Sequence, residues 1–402
     1  MAGTSGMGTT FNLPNYVGEL FSLTPTETPF LSAVGGLSGG KAVASTKFSW
    51  QTDDNRDPAD RQRMEGATAP AAENRVRAKV ENVTEIHQEK ASVSYTKQAA
   101  TQLLATPTAA PFNLQGGTNP VGNELDYQVR KAIEAIALDV NNSFINGHFA
   151  DPTTNSNPRK TRGIIEAITT NAIDKSSVSY TGASSATDTI TVTHALSAGD
   201  KVVFTDNGGA AIVVGRVYYV KSVSTTVSFK IVPTADLTAT ALTVGTGSGI
   251  KVHAPRTTAL TTGDVDDLVQ GAYDNGGVAN QFTATLWANS TQKRAVSAAY
   301  AAAYAKAQPV NNRTVGGVVV QTIETDFGTL NIALDRRIPA DMLLFCSMEQ
   351  LNAAFTNIPG KGAFFEEALA KTGASDEVQI YGEIGLEYGN EAAHGYLRGL
   401  AV

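Results

Sequence analysis

The stretch from Gly122 to Gly147, GNELDYQVRKAIEAIALDVNNSFING, holds the longest uninterrupted helical pattern in the chain, and a rod of that length limits what can be built around it. Leu125, Val129, Ile133, Ile136, Val140 and Phe144 recur at helical spacing and form one apolar stripe; Asp126, Arg130, Lys131, Glu134 and Asp139 take the other side. Asn123 suits the N-cap, Glu124 and Asp126 suit the positive first turn, and Asn146-Gly147 predicts a left-handed stop. At ~1.5 Å per residue the rod runs about 35 Å, enough to cross a whole domain. With one stripe to bury, it fits the backbone of a mixed helix-and-sheet domain better than a bundle.

A chain of 402 residues predicts two or three domains, because a single core stops growing well below that size. With 31 Lys and Arg against 38 Asp and Glu the net charge is -7, which argues against sequence-specific nucleic-acid recognition. The single cysteine, Cys346, lies in the apolar run MLLFC, so no internal disulfide staples the fold and the thiol reads as a small buried hydrophobe. No run approaches the ~18 apolar residues that cross a bilayer, and the N-terminus lacks a signal pattern, so a soluble cytoplasmic chain without membrane contact is expected.

Motifs for chemistry are sparse. Residues 35–42, GGLSGGKA, have the glycine and Gly-Lys spacing of a phosphate-binding loop but carry Ala42 where a magnesium-binding hydroxyl is needed, so a hinge is the better reading. The histidines at 87, 148, 194, 253 and 394 are scattered, with no HExxH. Asp53, Asp54, Asn55 and Asp57 lack the central glycine and distant glutamate of a calcium loop. Glu383, Glu387 and Glu391 fall in a glycine-broken strand segment and read as surface or interface charges. No catalytic, cofactor-binding or metal-ligating set is therefore expected, and no enzyme.

Along the chain, a Gly/Thr-rich opening leads to TPTETPFLSAVGG, in which Thr28 caps, Pro29 starts a short helix and Phe30, Leu31 and Val34 form its apolar face. Two β-prone arms follow, KAVASTKFSWQ and RVRAKV with ASVSYT behind it. They flank DDNRDPADRQRMEGATAPAAEN, which has both charge signs, two prolines and almost nothing to bury. An outreaching hairpin of this kind cannot cover its own faces and needs a surface belonging to something else.

Residues 106–121 read as a Pro/Gly linker and GIIEAI as a strand. Residues 174–256, with DTITVT, DKVVFT, RVYYVKSV and VSFKIV between turn clusters, predict an inserted all-β barrel or sandwich. TGDVDDLVQGAYDNGG predicts a helix capped by Asp264 and stopped by Gly276-Gly277; FTATLWAN a strand; and STQKRAVSAAYAAAYAKA a helix capped by Ser290. A strand, turn and strand with Asp326-Phe327-Gly328 at the corner come next, then MLLFC as a buried strand and MEQLNAAF as a short helix. Closing paired strands follow, in which Val378, Ile380, Ile384 and Leu386 face inward.

Taken in order, NYVGELFSLTPTETPFLSAVGG, FSWQTDD, the rod ending in ING, TLWANSTQKRAV, ETDFGTLNIALDRRIPADMLLF and QIYGEIGLEYGNEAAHGYLRGL resemble the major capsid proteins of tailed phages with the Hong-Kong-97-type fold, and among them the SU-ten-like major head protein family. The resemblance covers everything outside the β-module. It implies an α+β fold with an N-terminal arm (1–40), an extended loop (41–98) and a peripheral domain (99–173) whose spine helix is 123–146. It also implies an axial domain (257–326) and return strands (327–402), with the β-module at 174–256 as an insertion on the outer face.

The function implied is self-assembly into pentamers and hexamers of an icosahedral head enclosing double-stranded DNA. The implied partners are copies of the chain itself, a portal protein, a separate scaffold and a decoration protein, with non-specific contact to packaged DNA; assembly would take place in the host cytoplasm. The loop tip, with Arg56, Asp60, Arg61, Arg63 and Glu65, is then expected to lie over a neighbouring subunit, with Trp50 and Met64 as apolar anchors. Two other readings compete: an encapsulin-like compartment, and a carbohydrate-binding or enzymatic protein using Tyr218, Tyr219 and Phe229 of the β-module.

Overall fold

The computed structural model describes residues 26–53, 58–98, 124–185, 187–224, 226–278, 284–307, 322–370 and 373–402, with side chains omitted for 303–307. The long rod is a helix, here α2 (Glu124–Asn146), following the short α1 (Pro29–Val34). Val129, Ala132, Ile136, Val140, Phe144 and Ile145 are buried along one face of α2. Ile133 departs from the expected stripe: Ala132 turns inward and Ile133 is left 41 % exposed. Asn123, the expected cap, lies outside the described residues.

Gly147 does not take the left-handed conformation predicted for it. Its amide continues the helical ladder to Ser143 O at 2.9 Å. The need for glycine is close approach, since a Cβ would stand 2.3 Å from Ser143 O and 2.7 Å from Thr161 O.

Two sheets flank the rod. The first runs β1 (Lys41–Val43), β16 (Asn352–Thr356), β18 (Ser375–Glu387), β17 (Phe364–Ala368), with β4 (Glu85–Ser94) also paired to β18. Val378, Ile380, Ile384 and Leu386 of β18 all face the core, as their alternation predicts. ASVSYT thus belongs to this sheet through β4 and not to the returning arm of the hairpin; ten consecutive cross-strand pairs with β18 hold it there. MEQLNAAF is a 3-10 turn (Met348–Gln350) running into β16 rather than a helix, because β16 has pairing partners on both edges.

The second sheet has the order β13 (Thr322–Thr325), β14 (Gly328–Leu334), β12 (Ala284–Ala288), β15 (Leu343–Ser347), β19 (Gly395–Arg398), β5 (Ala172–Asp174). Trp287, Leu344 and Cys346 point to the core shared with α2. Leu286, Ala288, Leu343 and Phe345 point to the opposite core, beneath α4 (Thr262–Asp274) and α5 (Ser290–Ala307). Burial on both faces explains why MLLFC is continuously apolar. The closing strands β18 and β19 end in different sheets and do not pair with one another.

GIIEAI is a helical turn, α3 (Ile164–Ala167), not a strand: Ile164, Ala167 and Ile168 are buried at helical spacing, and Ile168 N donates to Ile164 O. Helix α4 is capped by Thr261, with Asp264 three positions further on completing a capping box. The Arg256 guanidinium beside Asp264 holds that carboxyl down at about 2. Asn289, not Ser290, caps α5, accepting from Thr291 N and Gln292 N at 3.0 and 3.1 Å. Thr28 makes no side-chain cap bond; Pro29 at the first position starts α1 without one.

Between β5 and α4 the strands β6 (Val178–Ser184), β7 (Thr189–Thr191), β8 (Lys201–Asp206), β9 (Val217–Ser224), β10 (Ser228–Val232) and β11 (Gly247–Ala254) close into a barrel in the order β10-β7-β6-β11-β8-β9. Its core is its own, built on Ile190, Phe204, Tyr218, Phe229 and Ile231. His253 Nε2 meets the Asp341 carboxylate, which also accepts from Gly399 N at 3.0 Å, so one buried acid ties barrel, body and C-terminal segment together.

A second buried polar contact locks α1 to the rod. Asn141 accepts from Leu31 N at 2.8 Å and donates to Asp335 Oδ2 at 3.0 Å, and that oxygen accepts from Phe30 N at 3.3 Å. Replacing Asn141 with Leu leaves the Leu31 amide without its acceptor and takes one of three donors from the Asp335 carboxylate, which keeps Phe30 N and Arg337 N, so stability should fall by about 3 kcal/mol, read as a lower urea midpoint of the dissociated subunit. His394 is buried as the neutral imidazole: its Nδ1 accepts from Ser347 N at 3.2 Å and its Nε2 donates to Tyr388 O at 3.0 Å. Burial lowers its pKa to about 4. The unfolded chain therefore binds the proton first as pH falls below about 6.5, and between there and pH 4 stability should drop by about 3 kcal/mol. His394→Gln should remove that part of the slope in a melting-versus-pH series.

Candidate assembly interface

The hairpin that the sequence places outside the body is β2 (Lys47–Thr52) paired with β3 (Ala78–Val83), in the register Trp50 to Val80 and Phe48 to Asn82. Its root is clamped. Asn82 is fully buried; its Nδ2 donates to Leu386 O at 2.7 Å and Arg162 O at 3.2 Å, and its Oδ1 accepts from Arg162 N at 2.8 Å. Trp50 Nε1 donates to Gly389 O at 2.8 Å, and the indole stands edge-on to Tyr388 at 4.8 Å. Along one edge Lys47 and Lys79 flank Glu81 at 2.9 and 2.8 Å and hold its carboxyl down at about 2.

Beyond the root, the described residues 58–79 are all exposed. The tip turns at Glu65-Gly66, closed by Ala67 N donating to Met64 O at 3.1 Å. Glu73 of the returning arm takes Arg61 at 2.5 Å and Arg75 at 3.3 Å, so the two arms are cross-braced by charge. Met64 is 87 % exposed.

Of the residues singled out in the sequence, Asp60, Arg61, Arg63, Met64 and Glu65 share this exposed tip, and Arg56 lies outside the described residues. Trp50 is not with them: its hydrogen bond and ring contact are made within its own chain, at the hairpin root. Sequence reasoning misses Glu73 and Asn82. Asn82 carries a signal, a polar residue at an inward-facing strand position, which implies a buried hydrogen-bonding knot.

The other candidate chemistry resolves into structure. Tyr218 and Phe229 are buried inside the barrel, Tyr218 stacked edge-on with Phe204 at 5.6 Å, so they offer no platform for a sugar, while Tyr219, the third residue of that reading, is half-buried on β9. Glu383, Glu387 and Glu391 are engaged within the chain by Arg159, Lys41 and Thr170. Cys346 is fully buried, and burial pushes its thiol far above its ordinary pKa, which leaves it unreactive. Among the described residues no three His, Cys, Asp or Glu side chains converge on a metal position.

A solved structure of the cyanophage A-1(L) capsid asymmetric unit aligns over 97 % of this chain and 98 % of that one, at TM-score 0.54 and 9 % identity. The capsid of cyanophage P-SCSP1u aligns over 99 % and 96 %, at TM-score 0.50 and 10 % identity. An encapsulin complex from Synechococcus elongatus aligns over 98 % and 94 %, at TM-score 0.43 and 9 % identity. No curated protein matches the sequence. The fold is thus the Hong-Kong-97-type fold of phage capsids. A family model described as SU10 major capsid protein matches residues 3–401, and the chain belongs to that family of major capsid proteins.

Proposed function

We propose that the chain is the shell subunit of an icosahedral phage head, assembling as pentamers and hexamers around double-stranded DNA. The observation that carries this reading beyond family membership is the hairpin, whose outer residues 58–79 are all exposed on a root clamped by Asn82 and Trp50. A rigid lever with an uncovered end suits head-to-tail contact, in which each subunit covers the next and the rotation closes a ring. Cross-braced charges at the tip favour correct register over raw affinity. The residue ranges read as arm, extended loop, peripheral domain, axial domain and return strands keep the roles the resemblance implies, with the barrel on the outer face.

A net charge of -7 suits a container, since a cationic lining would hold the genome against release. Contact with the packaged DNA is then non-specific, and no catalytic step is assigned to the chain. Assembly takes place in the host cytoplasm with a portal protein and a separate scaffold.

Electron microscopy of the expressed chain should show closed shells. Particles filled with protein cargo in place of DNA during infection would favour a compartment instead. Reversing Arg61 and Arg63 together to Glu removes the brace to Glu73 and inverts the tip, and should lower particle yield about tenfold with the subunit's circular dichroism unchanged. Parent-level yield would contradict the role given to the loop.

A further inference from the structure

Met64 at 87 % and Val76 at 86 % are the two most exposed large apolar side chains among the described residues, and both lie on the hairpin loop. The body holds the converse feature, a concavity of about 250 Å³ lined by Leu37, Ile133, Ile136, Phe364, Phe365 and Ile380, with Glu366 as its one charged lining residue. Its position explains why Ile133, apolar by sequence pattern, is 41 % exposed: that side chain faces a recess and not a packed neighbour.

The recess is shaped by backbone. Phe364 pairs with Gly382 of β18, and a Cβ at Gly382 would stand 2.3 Å from the Phe364 ring, so glycine lets the ring lie across the strand. Beside it Phe365 contacts Tyr381 at 5.7 Å, and Lys361 is neutralised by Glu367 at 2.7 Å.

Charge agrees with shape. Arg63, next to Met64, and Glu366 are both exposed. Neither is paired in the ion-pair network of the described residues, whereas Arg61 and Glu367 beside them are. We propose that Met64 of one copy seats in this concavity on the next copy, with Arg63 set against Glu366. The proposal rests on the head-to-tail reading of the loop and adds the receiving site. A flexible thioether chain is well suited to a recess of mixed aromatic and aliphatic walls. Covering it would complete the apolar stripe of α2 that the described residues leave open at Ile133.

Because Cys346 is buried, engineered cysteines report cleanly. A chain carrying Met64→Cys and Ile133→Cys, assembled and oxidised with copper phenanthroline, should give a ladder of disulfide-linked multimers on a non-reducing gel. A disulfide confined to single chains would mean that the loop folds onto its own body, and would overturn the proposal. So would assembled particles with no disulfide, including those in which the thiol introduced by Ile133→Cys is protected from maleimide by some other segment.

In a second arm, Arg63→Glu should lower particle yield about tenfold, and adding Glu366→Arg should restore it to within about twofold. Absence of that rescue would overturn the pairing. The two readings fail differently. If Met64→Glu blocks assembly while the 64–133 disulfide never forms, the loop reading stands and the receiving site is wrong. If Met64→Glu assembles at parent yield, both are wrong.

Discussion

Asn141 is the one polar side chain on the buried face of the long helix, and the arrangement of the body depends on its bonds. It takes the Leu31 amide and reaches Asp335, which in turn takes the Phe30 amide, so α1, the rod and the turn after β14 are fixed at one point. Phe30 and Leu31 are almost wholly buried beside it, and Phe30 packs edge-on against Trp287 of the second sheet at 5.2 Å. Burial of two such side chains drives the contact, by about 1.5–3 kcal/mol each, while the polar knot fixes its register. From that point the rod lies against β4 and β18 on one side and the second sheet on the other, and the hairpin root is fastened to the end of β18.

Rigidity at the root has a functional consequence. A loop hung from a mobile base would lose much of any contact energy to ordering, whereas this one is held by the buried Asn82 amide, the Trp50 indole and the Lys47–Glu81–Lys79 edge before a partner arrives. Among the described residues, the outer part of the hairpin is what remains exposed. The barrel differs: it has a closed sheet and a core of its own, and is joined to the body through the His253–Asp341–Gly399 contact. A closed barrel leaves no free strand edge to pair with other chains.

Much of this is legible in the residues themselves. The rod, the β18 alternation, the buried MLLFC strand and the all-β insertion follow from period and composition, because each is a regular element whose burial matches its pattern. The failures share a cause. MEQLNAAF has helical spacing but becomes a strand because two pairing partners await it. GIIEAI looks β-branched but turns as a helix against the rod, and Gly147 is glycine for want of space rather than for a left-handed bend. Spacing alone turns Ile133 inward, and only the tertiary structure places it at a recess. At the loop, charge and exposure are readable but partners are not: Glu73 as the brace and Trp50 as a root anchor depend on which strands pair and where the hairpin leaves the body.

The central claim is that identical copies supply the cover this chain cannot supply for itself. Electron cryomicroscopy of the purified, assembled protein tests it most directly, because it shows where residues 58–77 lie relative to the subunit that owns them. The account predicts closed shells in which that loop rests on the adjacent subunit's body. A chain that stays monomeric under assembly conditions, or shells in which the loop lies flat on its own subunit, would contradict it.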